Sequence, residues 1–361
     1  MRPIRDEHLN RVLERHFNSR GGTPYWMDKA RELGLQPLRD IRCREDLLLF
    51  GPMDGAALAQ RPIEDFVPRS LWLRSSEERW VFGETGGTLG SPKTTIYRIN
   101  EFKEAFVEPF VRAARAKRFP RDILWLYIGP SGPHIIGKAA RACAWALGSP
   151  DPLTVDFDPR WVKKFDPESM SYRRYSDHIV EHSLRILHQQ NVGVLFSTPV
   201  VLLRLAEHMR PVARSAIRGI HLGGMSLSAS AHRTLAHEFP NAVFLSGYGN
   251  TLCGMCPEID ADPGDPLSYY PWGERLSFRL IVQDPASTEE ERLLTPAPKA
   301  EPGQVVFSRL DESFLILNMI ERDEAVRAVP GRIQREHGFT KEGLTSPQPV
   351  EERREVSVGL Y

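Results

Sequence analysis

Between Asp122 and Thr251 the chain alternates short apolar runs with helical stretches, and this alternation limits its fold more than any other feature. "DILWLYIG" (Asp122 to Gly129) and "VGVLFS" (Val192 to Ser197) are continuously apolar, as strands buried on both faces are. "PLTVDF", "IRGIHLGG" and "NAVFLSGYGNT" read as further strands. Helical stretches separate them. "IIGKAARACAWALG" closes on Gly148. Tyr175 to Gln190 is helical, and Thr198-Pro199 opens another helix, with proline in the first turn where its missing N–H costs little. "SASAHRTLAHEF" is the last of them. Strands alternating with helices predict an α/β fold with a parallel sheet flanked by helices.

The flanks have a different texture. Residues 1–78 read mostly as helix and loop, with helical charge patterning from Asp6 to Phe17. Trp80-Val81-Phe82 is a short strand, and Asn100 is expected to N-cap a helix running to about Lys117. Phe102, Phe106, Phe110 and Val111 share one face of that helix. Beyond about residue 270, "LSFRLIVQDP", "GQVVFSRL" and "SFLILNMI" read as strands without intervening helices, which predicts a small antiparallel or barrel-like β-rich subdomain. The expected organisation is a large domain over 1–330, with the β-rich part at about 270–330. A hinge remnant and loose polar tail follow over 331–361.

Composition excludes several classes of function. The chain is 41% hydrophobic and 26% charged, as soluble globular proteins are. Lys+Arg and Asp+Glu both count 47, so there is no basic excess to bind nucleic acid or a membrane surface in general. Any bound anion must be held by a local site. No apolar run reaches the roughly 18 residues of a membrane span, and "MRPIRDEHLNRVLERHF" has no apolar signal core. Four cysteines are too few for a disulfide scaffold. The expected location is cytoplasmic.

Three stretches are candidates for chemistry. Thr85-Gly-Gly-Thr-Leu-Gly-Ser-Pro-Lys93 gathers glycines, hydroxyls and a lysine. Glycine lets the backbone approach a ligand closely, and backbone N–H groups with Thr85, Thr88 and Lys93 would cradle phosphate oxygens. An ordinary turn between strands is the alternative. "GPHIIGKA" (Gly132 to Ala139) lies between strand and helix and nearly matches the phosphate loop of NTPases, but Ala139 stands where a magnesium-ligating hydroxyl belongs. A helix N-terminus packed under the sheet, or His134 lining a substrate pocket, are the other readings. In "LSGYGNTLCGMCPE" the pair Cys253 and Cys256 lacks the two further ligands of a zinc site. Small buried side chains are the plainer reading.

Taken in order, these segments resemble the adenylate-forming superfamily of acyl-CoA ligases, adenylation domains and luciferases, over roughly residues 80–335. Thr85, Gly86, Gly87, Thr88, Gly90 and Lys93 match its Ser/Thr/Gly-rich phosphate loop, with Leu89 in place of a usual threonine. Gly223-Gly224-Met225 resembles its Gly-Gly segment, and Tyr248-Gly249-Asn250-Thr251 its Tyr-Gly-x-Thr-Glu motif. Asp323 resembles its ribose-binding aspartate, and Gly331-Arg332 its interdomain hinge. The nearest flavour is the phenylacetate–CoA ligase-like branch, and within it short enzymes of phenazine-antibiotic (griseoluteate) biosynthesis.

The resemblance implies ATP and Mg as cofactors and a small-molecule carboxylate, an aryl acid by the branch, activated to an acyl-adenylate in secondary metabolism. Lys93 and Thr88 take catalytic roles at the phosphates, Tyr248 flanks adenine, Asn250 and Thr251 contact base and α-phosphate, and Asp323 holds the ribose. Tyr127, His134, Met225 and Gly247 border the acid. The chain departs from the family twice. Leu252 stands where the family has its magnesium-holding glutamate, leaving Glu258 as a nearby candidate of different spacing. Only 29 residues follow Arg332, fewer than the mobile C-terminal domain with its catalytic lysine needs. The resemblance therefore implies slow adenylation, or completion by an acyl acceptor or carrier protein. A non-catalytic nucleotide-binding homologue and an NTP-dependent transferase using Gly132 to Ala139 are the alternatives.

Overall fold

In a computed structural model of the chain, which describes residues 6–350 other than 73, 75, 77, 87–90, 163, 167 and 168, the first sheet element is a hairpin. Strands β1 (Trp80–Glu84) and β2 (Thr94–Arg98) pair antiparallel, with Glu84 opposite Thr94 at the loop end. The alternating region then forms β3 (Leu124–Ile128), β4 (Leu153–Val155), β5 (Val192–Ser197), β6 (Gly219–Leu222), β7 (Val243–Asn250) and β8 (Gly254–Pro257). They lie in the order β4-β3-β5-β6-β7-β8. Every pairing from β4 to β7 is parallel, and β8 closes the edge as an antiparallel hairpin partner of β7. This is the parallel sheet that the strand–helix alternation predicts, and β5 and β6 are buried along their whole length.

Local sequence explains the helices that cover the sheet. In Ile135–Ala146 the residues Ile135, Ala139, Ala140, Cys143 and Ala144 are buried at three- and four-residue spacing, which keeps one stripe against the core. Thr198 N-caps Pro199–His208 by accepting from the Val201 N–H at 3.4 Å, and Ser169 does the same for Met170–Gln189 through Tyr172 at 3.2 Å. The helix expected from Asn100 begins one residue earlier, at Ile99. The Glu101 carboxylate accepts from the Arg98 N–H at 3.1 Å, so Glu101 sets the start and Asn100 lies inside the first turn. Phe102, Phe106 and Phe110 do share a face, buried with Tyr97 and Trp125, while Val111 is half-buried beside them.

The β-rich part comprises β9 (Ser268–Tyr269), β10 (Leu276–Ile281), β11 (Gly303–Leu310), β12 (Leu315–Ala328) and β13 (Gly343–Pro349). These form one antiparallel sheet in the order β10-β11-β12-β13-β9. β13 lies in the stretch expected to be hinge remnant and loose tail. Its Leu344 is buried against Leu280, Val305 and Ala325, and apolar contact of that kind holds the strand in the sheet. The N-terminal helices pack on the same sheet. Leu9, Leu13, Trp26, Phe50 and Phe66 share a core with Phe307, Leu310, Phe314 and Leu315, and the Trp26 indole donates to the Leu315 carbonyl at 2.9 Å.

A buried ionic cluster joins the hairpin, the parallel sheet and the β-rich sheet. Asp311 accepts from the Arg275 guanidinium at 2.8 and 2.9 Å and from Arg309 Nε at 2.6 Å. All three side chains are buried. Arg309 also donates to Thr95 Oγ1 at 2.7 Å and to the Ile96 carbonyl at 2.9 Å in β2, and lies 3.6 Å from the Tyr97 ring centroid. Arg275 reaches the Cys253 carbonyl at 2.7 Å. Burial raises the Asp311 carboxyl, but the two guanidiniums overcome it and hold the group below the usual carboxylate range.

Asp311→Asn conserves volume but leaves two buried cations facing a neutral amide. Its unfolding free energy in urea at neutral pH is expected to fall by about 3–5 kcal/mol. Because the folded-state value is depressed, this stabilisation is present above the unfolded aspartate value and fades as pH falls toward the folded one. The gap between wild type and variant should narrow on acidification, and a gap independent of pH would contradict the assignment.

Candidate active site

In an open parallel sheet the carboxyl ends of the strands form a ready crevice. Here the ends of β5, β6 and the first half of β7 open into a cavity of about 420 Å³. One part of its lining is apolar: Phe106, Ile136, Ala139, Cys143, Phe196 and Met255. The rest is polar and backbone-rich: Thr85, Gly86, Gly223, Gly224, Tyr248 to Thr251, Asp323 and Gln348. Two glycines keep it open. A Cβ on Gly247 would lie 2.9 Å from the Met255 side chain, and Gly224 has a positive φ of 83° that side chains rarely adopt.

The structure brings Tyr248 and Asp323 together. The Tyr248 hydroxyl donates to Asp323 Oδ2 at 2.9 Å across 75 residues of sequence. Tyr248 tilts against Tyr269 and Phe278, with ring centroids at 5.9 and 6.4 Å. Asp323 makes no ion pair with Arg322 or Arg327, and Arg327 pairs with Glu342 at 2.9 Å instead. Burial raises the Asp323 carboxyl, while the Tyr248 bond and the charge of Arg322 draw it back. Asn250 and Thr251 also line the cavity, but their polar groups are engaged internally. Asn250 Oδ1 accepts from the N–H groups of Leu252 and Cys253 at 2.8 and 3.1 Å, and its Nδ2 donates to Glu321 Oε1 at 2.9 Å. Thr251 Oγ1 donates to the Glu84 carbonyl at 3.2 Å. These two residues fasten the turn to β1 and β12.

The glycine-rich loop has a closed neck. The Lys93 N–H donates to Thr85 Oγ1, and the Thr85 N–H donates to the Lys93 carbonyl, each at 2.9 Å. The pair extends the β1–β2 ladder by one rung, so Thr85 and Gly86 border the cavity. Gly87, Thr88, Leu89 and Gly90 lie outside the described residues. The Lys93 ammonium packs against Gly55, where an added Cβ would stand 2.7 Å from Nζ, and it does not line the cavity. Its positive charge acts on Glu321, lowering a carboxyl that burial and Asp323 raise.

Of the residues expected around the acid, His134, Met225 and Gly247 line the cavity, and Tyr127 does not. Tyr127 is buried in the sheet, its hydroxyl donating to the Pro130 carbonyl at 2.8 Å. His134 is buried with Nε2 unpartnered, 3.9 Å from Asp158. Burial and Arg160 hold its imidazole below the usual histidine range. In the near-match to an NTPase loop, Lys138 Nζ donates to the Phe82 carbonyl at 2.5 Å, which ties the helix to β1 and removes the free cation such a loop requires.

The described residues do not assemble a metal cage. Among the described residues no cluster of three or more His, Cys, Asp or Glu groups could hold an ion. Glu258, expected as a magnesium candidate, is buried in a 2.5 Å ion pair with Lys117 and accepts from the Ser246 and Ala261 N–H groups at 3.4 and 3.3 Å. It is held under the sheet edge and does not line the cavity. Leu252 is buried in the core. Cys253 and Cys256 are free thiols in the same core.

Sequence reasoning missed several lining residues: His221, Cys143, Phe196, Met255 and the Pro347–Pro349 segment. Phe106 was visible as part of a helix face, without its role at the cavity. The histidine in "IRGIHLGG" is the signal that was available, a polar residue within an otherwise buried strand.

No protein-family model matches the chain, and no curated protein matches it. Among solved structures it is similar to 2-hydroxyisobutyryl-CoA ligase in complex with 2-HIB-AMP and CoA in the thioesterification state, with a TM-score of 0.66 at 16% identity. That match covers 94% of this chain and 65% of the other. An open conformation of that ligase with the same ligands also gives 0.66, at 15% identity, covering 94% and 72%. Its postadenylation state with 2-HIB-AMP gives 0.62 at 14% identity, covering 96% and 66%. The chain therefore has the fold of this acyl-CoA ligase and spans about 65% of the length of the first of these relatives.

Burial pushes the Cys253 thiol up to about 12 and raises the Cys143 and Cys256 thiols as well. A thiol reagent added to folded protein at neutral pH is expected to modify only Cys43, the half-buried cysteine, with the other three reacting after denaturation. Peptide mass mapping reads this directly. Protection of Cys253 and Cys256 that depends on zinc or a chelator would restore the metal reading.

Proposed function

We propose that this chain activates a carboxylic acid, an aryl acid in the first instance, as its acyl-adenylate using ATP. One observation carries the reading. One cavity at the carboxyl ends of the parallel strands joins an apolar lining that includes Phe106 and Phe196 to a polar wall holding the Tyr248–Asp323 pair. The fold shared with 2-hydroxyisobutyryl-CoA ligase, a protein solved with 2-HIB-AMP and CoA, supports it. Free cysteines support a reducing, cytoplasmic setting. Secondary metabolism, as in antibiotic biosynthesis, is the role the branch resemblance favours. The acyl group would then pass to a small nucleophile, a partner enzyme or a carrier protein.

The reaction needs little acid–base chemistry. A carboxylate oxygen attacks the α-phosphorus, the bond from that phosphorus to the bridging oxygen breaks, and pyrophosphate leaves with the electron pair. The protein must orient two anions and stabilise charge on the phosphates. Asp323 would accept the two ribose hydroxyls, and Tyr248 would hold that carboxylate in place while flanking adenine. Gly223 and Gly224 would let the backbone approach the nucleotide. Thr85 to Lys93, with Thr88 and Lys93 as its polar members, would receive the β- and γ-phosphates. Magnesium would arrive on the nucleotide's own phosphates, as it commonly does. The described residues offer it no cage, so no step is assigned to it.

A second reading has its own support. Leu252 is sealed in the core and Asn250 is engaged inside its turn, as suits a homologue that binds nucleotide without turnover. Acid-dependent exchange of pyrophosphate into ATP, run over aryl and aliphatic acids, separates the two. Exchange with aryl acids is expected, and tight nucleotide binding without exchange for any acid would favour the non-catalytic homologue.

Two variants test the assigned roles. Lys93→Ala is expected to lower the exchange rate about 10²–10³-fold while AMP affinity stays within twofold, because AMP has no β- or γ-phosphate. Asp323→Ala is expected to weaken AMP and ATP alike, by about tenfold or more, through loss of hydrogen bonds to a charged group. Equal loss of AMP affinity in both variants would remove the pyrophosphate-clamp role from the glycine-rich loop.

A further inference from the structure

His221 is a buried histidine on β6 that lines the cavity. Its ring is held between Phe196 and Phe110, with centroids at 4.1 and 4.9 Å, and its Nδ1 lies 2.9 Å from the Leu245 carbonyl of β7. A backbone carbonyl only accepts, so Nδ1 carries the proton of this contact. The ring is neutral, because burial lowers its value to about 4 despite that bond. Neutral imidazole with Nδ1 protonated has a bare lone pair on Nε2. Among the described residues no hydrogen-bond partner for Nε2 is found. The ring's Cε1 edge faces Gly247, 3.7 Å from where a Cβ there would stand. Phe196, Met255 and Phe106 line the same cavity, and the Cys143 thiol, also in its lining, is turned to the Phe106 carbonyl at 3.6 Å. Among the described residues, His221 Nε2 is thus an acceptor whose tautomer the fold fixes.

We propose that His221 is a specificity-determining residue, and that the cavity selects carboxylic acids bearing a hydroxyl or N–H donor on the acyl portion, donated to His221 Nε2. This deepens the acyl-adenylate reading and rests on it for the identity of the ligand as an acid. The selection follows from asymmetry. A donor-bearing acid satisfies Nε2, whereas its deoxy counterpart strips water from Nε2 and returns nothing. A second carboxylate would meet a lone pair and be refused. Sites built to bond a substrate hydroxyl discriminate strongly against the analogue lacking it.

Calorimetric titration of matched acids tests this: meta- and para-hydroxybenzoate against benzoate, and para-hydroxyphenylacetate against phenylacetate. In wild type the better-placed hydroxylated member of a pair is expected to bind about tenfold or more tightly than its deoxy partner. His221→Phe keeps the aromatic contacts and loses Nε2. His221→Asn keeps an N–H for Leu245 and also loses Nε2. Both variants, once shown folded by thermal melting, should bind the two members of each pair alike, and the ¹⁵N resonance of Nε2 in wild type should move when a hydroxylated acid is added. Equal binding of each pair by wild type, a preference surviving in both variants, or binding of no acid in the panel overturns the proposal. Pyrophosphate exchange on the same acids separates it from the parent reading. Exchange without discrimination overturns the His221 role alone, and a His221-dependent preference with no exchange overturns adenylation alone.

Discussion

The Arg275–Asp311–Arg309 cluster is the contact on which the remaining architecture depends. It takes one carboxylate and two guanidiniums out of water, an arrangement that persists only if every charge is paired and every remaining donor bonded. Those remaining donors are what tie the molecule together. Arg309 reaches β2 through Thr95 and Ile96, and Arg275 reaches Cys253 at the end of the Tyr248–Thr251 turn. Tyr97, stacked under Arg309, donates to the carbonyls of Thr251 and Leu252 at 2.8 and 3.0 Å. Glu101, next to Ser313, extends the network into the helix that begins at Ile99. The glycine-rich hairpin and the tyrosine turn therefore share one anchor, although 154 residues separate Tyr97 from Thr251.

The cavity exists because β7 belongs to two sheet environments. Val243 to Ser246 continue the parallel sheet beside β6, and Gly247 to Asn250 leave it to pair antiparallel with β8. The departure opens the space above the strand ends and carries Tyr248 toward β12. Gly249 makes the change of partner feasible. Its φ is 147°, and a Cβ there would lie 1.9 Å from the Gly254 carbonyl oxygen. β7 thus brings Tyr248 to face the separate β-rich sheet, which contributes Asp323 and the β13 end to the cavity.

The polar groups of this region divide into those engaged by the fold and those left for a ligand. Asn250, Thr251, Lys138 and Glu258 all have partners within the protein, and for Asn250 and Thr251 the match to a motif reports how the turn is built. The Tyr248–Asp323 pair and His221 keep capacity toward the cavity. For a fold that hosts several reactions, that division says more about what this chain does than fold likeness at 16% identity.

Much was determined by the sequence alone. Apolar runs alternating with helical periodicity dictate a parallel sheet because both faces of each strand must be covered, and proline, threonine and glycine mark the helix ends by local backbone physics. Gly223-Gly224 fall at the cavity because they follow the end of β6, which is where such sheets open. Tertiary structure decided what no local rule contains. Tyr248 meets Asp323, Lys117 removes Glu258 from the candidate metal ligands, and β13 forms in a stretch that reads as loose polar chain. His221 reads as one more core residue of a buried strand until the bond to Leu245 fixes its tautomer and leaves Nε2 without a partner. Each of these depends on contacts across many residues of sequence, where burial and pairing decide the state of a polar group and periodicity does not.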